Sequence, residues 1–358
     1  MPTKKKLRGA IIGYGFISSK GHWPAYLERQ DVEIIAICDI CCARFEHLPK
    51  HIKTYVNYRD LLDQEAQNLD FVDIATNAAT HFGIAKAALE QGLHVLCEKP
   101  LTTSLEQARI LLETAKQHKR VLFPGHNYKH APVVKAIREI IQSGKIGRVH
   151  SVNLNTYRNT HAVGTKEWMP DWRRFKQHSG GGIAMDHGSH SLYLTFEWLG
   201  CHPKAVTAVA HNLSFPKYDT EDNFSAVYEF ESGLANVQLT WTAGIRKVIY
   251  AINGDKGAIV VNDDEIELST MQKEESDDSS HKAKFLIEKY SIRSDWMDSS
   301  HINWFNSMFD KFLAAMECND VLNDEIKDAY FCIQAIMKAY ESSNNNSIKV
   351  NLNGDFPF

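Results

Sequence analysis

Residues 7–39 read LRGAIIGYGFISSKGHWPAYLERQDVEIIAICD. The stretch consists of an apolar run, a glycine-rich turn, a segment predicted to form about four turns of helix, and a second apolar run that ends at Asp39. Gly13 can adopt the backbone angles of a tight turn, and Gly15 has no Cβ to obstruct a pyrophosphate. The free N–H groups at a helix start attract phosphate, and a carboxylate at Asp39 can accept both hydroxyls of a ribose. The stretch therefore predicts a βαβ unit that binds a dinucleotide.

The turn departs from G-x-G-x-x-G at its third glycine, where this chain has Ser18. That position serves close packing of the helix against the strand, and serine is small enough to keep it. Phe16 and Ile17 are expected to contact the cofactor together with the two glycines. Asp39 favours NAD because its charge would repel a 2′-phosphate, whereas the nearby Arg44 leaves NADP as an alternative. A βαβ turn that carries two glycines without binding any ligand is the competing explanation.

Length, charge and cysteine usage limit the class of protein. A chain of 358 residues can form two domains with sizeable cores, and 44% hydrophobic with 23% charged residues is typical of a globular protein. A formal net charge of -4 argues against nucleic acid or an anionic membrane as the main partner. No apolar run reaches about 18 residues and no signal-peptide pattern precedes the first strand, so we expect a cytoplasmic protein. The seven cysteines form no regular framework, which fits a reducing compartment and predicts no zinc site.

Strands and helices continue to alternate as far as Asn127. The predicted strands and helices are the buried strands 71–76, 94–97 and 121–123 and the helices 80–91 and 104–118. This alternation predicts an α/β fold whose first domain, residues 1–127, is a Rossmann-type doubly wound parallel sheet. Ligands bind beyond the carboxyl ends of such strands. The candidate residues at those ends are Gly13, Asp39, Thr76, Asn77, Glu98, Lys99 and Asn127.

The pattern changes after residue 127. Apolar and polar residues alternate with period two in the runs 151–157, 205–209, 226–230, 235–242, 248–252 and 258–261. Period two predicts a large, open, mainly antiparallel sheet, so residues 128–358 are expected to form a second α/β domain. The outer face of this sheet is polar but not highly charged, which suggests a subunit interface. Further predicted segments are helices at 132–143, 301–316 and 324–341 and a mobile, solvated loop at 273–282.

Lys99 directly follows the predicted strand 94–97, between Glu98 and Pro100. A proline at this point permits a cis bond or a sharp turn, which would direct the Lys99 side chain into the cleft. A surface lysine at the end of a strand explains the local sequence equally well.

A second cluster follows the three glycines 180–182 and contains Asp186, His187 and His190. Asp186 and His190 are four residues apart, so on a helix they share a face and can contact each other or one substrate. Oxidation of an alcohol needs a base of near-neutral pKa, a role that suits histidine. Two alternatives stay open: a metal site formed by these three residues, and a helix start with Asp186 as its cap and His190 as a semi-buried core residue.

The loop from Trp168 to Phe175 is rich in aromatic and arginine side chains. Such side chains can stack on a ring or bind an anion. More often they pack a loop against the rest of the protein.

Together these residues resemble the Gfo/Idh/MocA oxidoreductase family over nearly the whole chain. The elements that carry the resemblance are Gly13-x-Gly15, Asp39, Ala75-Thr76-Asn77 with His81, His94 to Pro100, Asn127-Tyr128, Gly144-x-x-Gly147, and Gly181-Gly182 with Asp186-x-Gly188-x-His190. The resemblance implies NAD(P)-dependent oxidation or reduction of a carbinol in a sugar, a sugar derivative or a cyclitol. It also implies a homodimer or homotetramer formed through the C-terminal sheet.

The resemblance assigns roles to individual residues. His190 would be the general acid/base, Lys99 would polarise the reacting oxygen, and Asp186 would orient the substrate or the histidine. Trp172 and Arg173 would lie near the nicotinamide half of the cofactor. The other residues expected at the cofactor are Gly13, Gly15, Phe16, Ile17, Asp39, Arg44, Thr76, Asn77, His81, Glu98, Lys99 and Asn127.

Two further departures from the family pattern follow, of which the second, Tyr193, alters a wall of the expected substrate pocket. Lys129 stands where an arginine often follows Asn-Tyr, and Tyr193 stands where many members have a second aspartate. Four cations suggest a phosphate or carboxylate on the substrate: Lys129, Arg173, Arg174 and Lys176. The rival functions are a glycosidase that oxidises its sugar transiently and a regulator that only senses a dinucleotide. The intact catalytic residues argue against the regulator.

Overall fold

The structure is a computed structural model that describes residues 6–272, 284–294, 300–352 and 356–358. The loop predicted at 273–282 lies outside the described residues. In the described parts of the chain, no helix is both long and apolar enough to cross a membrane. The cytoplasmic location stays a prediction.

The N-terminal half forms a parallel sheet with helices on both faces. Its elements are β1 (Leu7–Ile12), α1 (Trp23–Leu27), β2 (Val32–Cys38), β3 (Lys53–Tyr55), α2 (Tyr58–Glu65), β4 (Phe71–Ile74), α3 (Ala78–Glu90), β5 (His94–Cys97), α4 (Leu105–His118) and β6 (Leu122–Pro124). The strand order is β3-β2-β1-β4-β5-β6, and all five pairings are parallel. The order changes direction between β1 and β4, the point at which doubly wound sheets bind ligands. The predicted Rossmann-type sheet is confirmed.

The helix predicted to follow the glycine-rich turn is much shorter than four turns. A wide π-type turn over Ser18–His22 leads into α1, which has five residues. A Cβ at Gly21 would lie 2.6 Å from the ring of Phe305, so a distant part of the chain packs directly on this turn. Tertiary packing, which the residue pattern of the segment does not show, therefore limits the helix.

The C-terminal half forms a second, larger sheet. Its elements are α5 (Pro132–Gln142), β7 (Val149–Tyr157), α6 (Lys176–Ser179), α7 (Ile183–Leu199), β8 (Ala205–His211), β9 (Asn223–Glu229), β10 (Leu234–Thr240), β11 (Lys247–Gly254), β12 (Gly257–Asn262), β13 (Glu265–Gln272), β14 (Lys284–Ser291), α8 (Ile302–Cys318), α9 (Asp324–Asn344) and β15 (Val350–Asn351). The strand order is β14-β13-β12-β11-β7-β10-β9-β8-β15. Only β7 and β10 pair in parallel among these described strands, so the mainly antiparallel sheet is confirmed.

The strands β13 and β14 have no counterpart in the predicted runs. Most side chains of β14 are exposed, and the strand lies at the edge of the sheet. Without a buried face it lacks the period-two contrast from which strands are recognised.

Helix α8 joins the two halves of the chain. It belongs to the C-terminal half in sequence, but its residues Phe305, Phe309 and Phe312 share a buried cluster with Tyr26 and Phe71 of the N-terminal half. The rings of Phe309 and Tyr26 stack with centroids 4.3 Å apart. The helix thereby covers a face of the first sheet beside the short α1. The domain limits 1–127 and 128–358 stay a prediction, and α8 lies within the second range but packs against the first sheet.

Helix α7 carries the cluster around Asp186 and begins directly after the three glycines. The carboxylate of Glu221 accepts hydrogen bonds from the N–H groups of Gly182 and Ala184, at 2.8 and 2.9 Å, and from the Tyr340 hydroxyl at 2.8 Å. A Cβ at Gly182 would lie 1.8 Å from the Glu221 carbonyl oxygen, which is why this position requires glycine. Glu221, rather than Asp186, therefore caps the helix.

Replacing Glu221 with glutamine should destabilise the protein by about 1–2 kcal/mol, because an amide cannot accept hydrogen bonds from both N–H groups at the start of α7. The free energy of unfolding, measured by denaturant titration, checks this expectation. The matched control is Glu231→Gln, at an exposed glutamate. Equal stability of the two variants would show that the cap does not hold α7.

Candidate active site

The glycine-rich turn after β1 fits a pyrophosphate. Gly13 has φ +96°, and its N–H donates to the carbonyl of Cys38 at 2.8 Å. Around a Cβ built on Gly15, the nearest atom beyond its chain neighbours is Nη1 of Arg44 at 3.9 Å, so the backbone stays open to a ligand. The hydroxyl of Ser18 donates to the Gly13 carbonyl, which explains how serine replaces the third glycine. This turn therefore suits the close approach of a phosphate.

Asp39 lies at the end of β2, where a ribose would bind. Its carboxylate accepts the N–H groups of Tyr14 and Cys41 at 2.7 and 2.8 Å, and it pairs with Nη1 of Arg44 at 2.8 Å. Arg44 also donates to the hydroxyl of Thr165, in the C-terminal half. These contacts hold the Asp39 carboxylate in position, paired with Arg44, next to the glycine-rich turn.

Five further residues predicted at the cofactor follow the ends of β1, β4 and β6. Thr76 and Asn77 lie two and three residues after the end of β4, and Asn127 lies three residues after the end of β6. The side-chain oxygen of Asn77 is buried and has no hydrogen-bond partner among the described residues, so it is available to a ligand. Phe16 is 44% exposed and Ile17 is half-buried on the turn after β1.

His81 connects two loops at the carboxyl edge of the parallel sheet. Its Nδ1 lies 2.8 Å from the carbonyl oxygen of Pro100, and its Nε2 lies 3.2 Å from that of Thr76. The side chain is almost fully buried. The ring nitrogens therefore contact the backbone of the site, which supports a positioning role rather than direct contact with a cofactor.

Glu98 belongs to a buried charged cluster next to Lys99. His22 bridges two carboxylates in this cluster, with Nδ1 2.7 Å from Asp73 and Nε2 3.1 Å from Glu98. Burial lowers the pKa of His22, but the two carboxylates outweigh burial and raise it to about 10. The carboxylate of Glu98 also accepts the Lys99 N–H at 3.0 Å. The cluster thus holds the backbone from which Lys99 extends, and nothing in the sequence pattern singles out His22.

Lys99 and Asp186 form an ion pair between the two halves of the chain. The Lys99 Nζ atom donates to Oδ1 of Asp186 at 3.0 Å and to the Asp186 carbonyl oxygen at 2.7 Å. The peptide bond between Lys99 and Pro100 is cis. Nε of Arg173 lies 3.4 Å from the same carboxylate oxygen, and its guanidinium lies 4.3 Å over the ring of Trp172. The structure therefore brings four of the predicted site residues into one cluster.

One oxygen of Asp186 remains for a ligand. Burial raises the pKa of Asp186, but the charges of Lys99 and Arg173 outweigh it and hold that pKa well below its usual range. Oδ2 of Asp186 and Nδ1 of His187 are buried, lie 3.6 Å apart, and have no hydrogen-bond partner among the described residues. Burial lowers the pKa of His187 to about 3. Among the described residues no group of three or more His, Cys, Asp or Glu is placed to hold a metal ion.

His190 contacts Tyr193 rather than Asp186. Its Nδ1 lies 2.6 Å from the Tyr193 hydroxyl, and this hydroxyl also accepts the N–H of Tyr128 at 3.2 Å. Because the hydroxyl is buried, its own proton needs an acceptor, and among the described contacts Nδ1 of His190 is the acceptor. We therefore assign the proton of the neutral His190 ring to Nε2.

The surroundings of His190 keep its ring neutral. Burial lowers the pKa of His190 well below its usual range, and the charge of Lys99 lowers it further. The ring of Tyr128 stacks on the imidazole with centroids 3.8 Å apart. A carboxylate in place of Tyr193 would favour the charged ring. The sequence shows Tyr193 as a departure from the family pattern, but not that it contacts His190.

The cations suggested for binding an acidic substrate do not form a common site. Lys129 pairs with Glu325 and Asp328 at 2.8 and 2.7 Å. Arg174 is buried among aromatic rings, and Lys176 is exposed. Only Arg173 of the four lies at the Lys99–Asp186 pair.

Long-range ¹⁵N–¹H spectra of histidine-labelled protein at neutral pH should show the Nε2–H pattern for His190, because the Tyr193 hydroxyl occupies Nδ1. The His190→Gln variant identifies the resonances. In Tyr193→Phe the Nδ1 resonance should shift toward that of a nitrogen without a hydrogen bond. An Nδ1–H pattern in the unmodified protein would contradict the assignment.

Comparisons with known proteins identify the family of this chain. The Gfo/Idh/MocA model described as an oxidoreductase family with an NAD-binding Rossmann fold matches residues 7–126, and that of the C-terminal alpha/beta domain of the same family matches residues 138–352. D-glucoside 3-dehydrogenase of Escherichia coli (strain K12) is 30% identical over 313 residues, which is 78% of this chain and 86% of that protein. 1,5-anhydro-D-fructose reductase of Ensifer adhaerens is 29% identical over 194 residues, 54% of this chain and 57% of that protein.

Solved structures show the same fold. Levoglucosan dehydrogenase in complex with NADH superimposes with a TM-score of 0.80 at 21% identity, over 98% of this chain and 100% of that chain. An inositol dehydrogenase homologue from Azotobacter vinelandii in complex with NAD+ has a TM-score of 0.80 at 21% identity, over 97% of both chains. The family descriptions confirm the predicted cofactor, NAD, and the predicted enzyme class. The chain belongs to the Gfo/Idh/MocA family of NAD-binding oxidoreductases.

Proposed function

We propose that this protein transfers hydride between NAD and a carbinol carbon of a sugar, a sugar derivative or a cyclitol. The observation that carries the proposal is the Lys99–Asp186 ion pair after a strand of the dinucleotide-type sheet, with His190 close enough for the charges of both residues to affect its pKa. Relatives named as dehydrogenases and reductases of glucosides, anhydrofructose and levoglucosan support this substrate class.

The two nitrogens of the cluster act on the reacting oxygen. Lys99 already donates two hydrogen bonds to Asp186, so one of its three N–H groups is left for the substrate. His190 offers Nε2–H to the same oxygen. Two donors on one oxygen stabilise the negative charge that develops on it during hydride transfer. When bound, NAD supplies the hydride acceptor or its reduced form the donor.

The proton moves through Lys99 in this proposal. In the reductive direction Lys99 gives a proton to the forming alkoxide, and the oxidative direction reverses this step, with the hydroxyl proton passing to Lys99. Asp186 holds the amine in place throughout. The resemblance assigned the acid/base role to His190, but a ring whose Nε2 already carries a proton donates a hydrogen bond and cannot accept one there.

Replacing Lys99 with methionine should lower kcat about 10²–10⁴-fold and leave NAD affinity nearly unchanged, because the proton-transfer group is lost while the glycine-rich turn stays intact. Stopped-flow hydride transfer with a panel of sugars, sugar phosphates and cyclitols, together with NAD titration, measures both quantities. His190→Phe should cost less than Lys99→Met, since only a hydrogen bond is lost. Lys86→Met, at a lysine of α3, is the control, and parallel loss of NAD binding and turnover in Lys99→Met would refute the role.

We also infer a homodimer or homotetramer that forms through the outer face of the C-terminal sheet. That face exposes Val227, Leu234 and Val260, and between them a hydrogen-bonded pair of amides, Asn153 and Asn236, in place of charged groups. Light scattering should give a mass that is a multiple of the 40.6 kDa chain. A Val227→Lys and Val260→Lys double variant should shift it toward the monomer, because like charges would face each other across a two-fold interface. A monomeric unmodified protein would refute the inference.

A further inference from the structure

Arg158 is a buried guanidinium for which the described residues supply no carboxylate. The residue is 8% exposed, and its Nη1 donates to the carbonyl oxygens of Tyr157 and Lys247 at 2.9 and 3.3 Å. Nε and Nη2 make no hydrogen bond with any described residue. Neither atom is among the fully buried polar atoms that lack a partner, so both keep some exposure to solvent. One edge of the guanidinium is therefore held by backbone carbonyls, and the other edge is open.

Other arginines near the site have partners that Arg158 lacks. Arg44 and Arg138 each contact a carboxylate directly, and Arg173 lies near that of Asp186. Arg174 is enclosed by aromatic rings instead. At 8% exposure Arg158 has lost most of its hydration, and no carboxylate of the described residues compensates for its charge. Its open edge has the fork geometry that binds a carboxylate or a phosphate through two hydrogen bonds.

The position of Arg158 directs this edge toward the catalytic helix. The buried residues Val152, Leu154 and Thr156 alternate along β7 on the face that packs against α7, and Arg158 continues the same alternation just beyond the strand. Electrostatics agree with this placement. Burial is the largest effect on the pKa of His187 and lowers it. The charge of Asp186 opposes burial, and the smaller effect of the positive charge of Arg158 lowers the pKa further.

We propose that Arg158 binds an anionic group of the substrate, a carboxylate or a phosphate, beside His187. This proposal rests on the proposed function and narrows the substrate class to acidic sugars. The unmatched Oδ2 of Asp186 would accept a hydroxyl of the same substrate, and the guanidinium would hold the acidic group farther along the pocket. In this role Arg158 takes the place of Lys129, Arg173, Arg174 and Lys176, the four cations that the sequence suggests.

Binding measurements in the presence of saturating NAD test the proposal without requiring turnover. Isothermal titration compares matched pairs of probes: D-gluconate with D-glucitol for the carboxylate, and D-glucose 6-phosphate with D-glucose for the phosphate. We expect at least one anion to bind tenfold or more tightly than its neutral counterpart. The difference should shrink as salt is raised.

Variants at Arg158 then locate the effect. Arg158→Gln should abolish the preference for the anion and leave the affinity for the neutral probe unchanged, and Arg158→Lys should keep part of the preference because it keeps the charge. The matched control is Arg148→Gln, because Arg148 is an exposed arginine that immediately precedes the first residue of β7. Thermal melting shows that each variant is folded.

The possible results separate this proposal from the proposed function. It is overturned if neither anion binds better than its neutral partner, or if Arg158→Gln weakens both members of a pair equally. Tight binding of an anion that depends on Arg158 supports the subsite even if no probe is oxidised. In that case the failure would belong to the catalytic assignment of Lys99 and not to the subsite.

Discussion

The ion pair between Lys99 and Asp186 is the contact on which the rest of the site depends, because it joins the end of a parallel strand to the first turn of α7. Both side chains are largely buried, so their attraction must offset lost hydration, and it does so only if both are held in position. Glu98, bridged to His22, holds the backbone on one side. Glu221 holds the start of α7 on the other.

The same neighbourhood keeps one histidine charged and another neutral. His22 lies between two carboxylates and stays protonated, whereas His190 lies against two tyrosines and near Lys99 and stays neutral. Environment, not residue type, decides which ring carries charge. A neutral ring with its proton on Nε2 is a hydrogen-bond donor of fixed direction, which is the property that a site for a carbonyl or alkoxide oxygen requires.

Much of the fold was readable from the sequence because its causes are local. Gly13 requires a positive φ and Gly15 an open backbone, and both requirements appear as residue identities. Strands buried on both faces appear as apolar runs, and strands with one buried face appear as period-two alternation. The edge strand β14 could not be predicted in this way because it has little buried surface. The short length of α1 could not be predicted either, because Phe305, nearly three hundred residues away in the chain, packs on the turn before it.

The sequence by itself determined the parallel sheet, the mainly antiparallel sheet, the cofactor turn and the candidates Lys99, Asp186 and His190, since each depends on residue type and spacing within a short segment. Tertiary structure alone decided which of these side chains meet. It paired Asp186 with Lys99 rather than with His190, and it placed no carboxylate of the described residues against Arg158. Such contacts join segments that are distant along the chain, and no local pattern records the distance between them once the chain has folded.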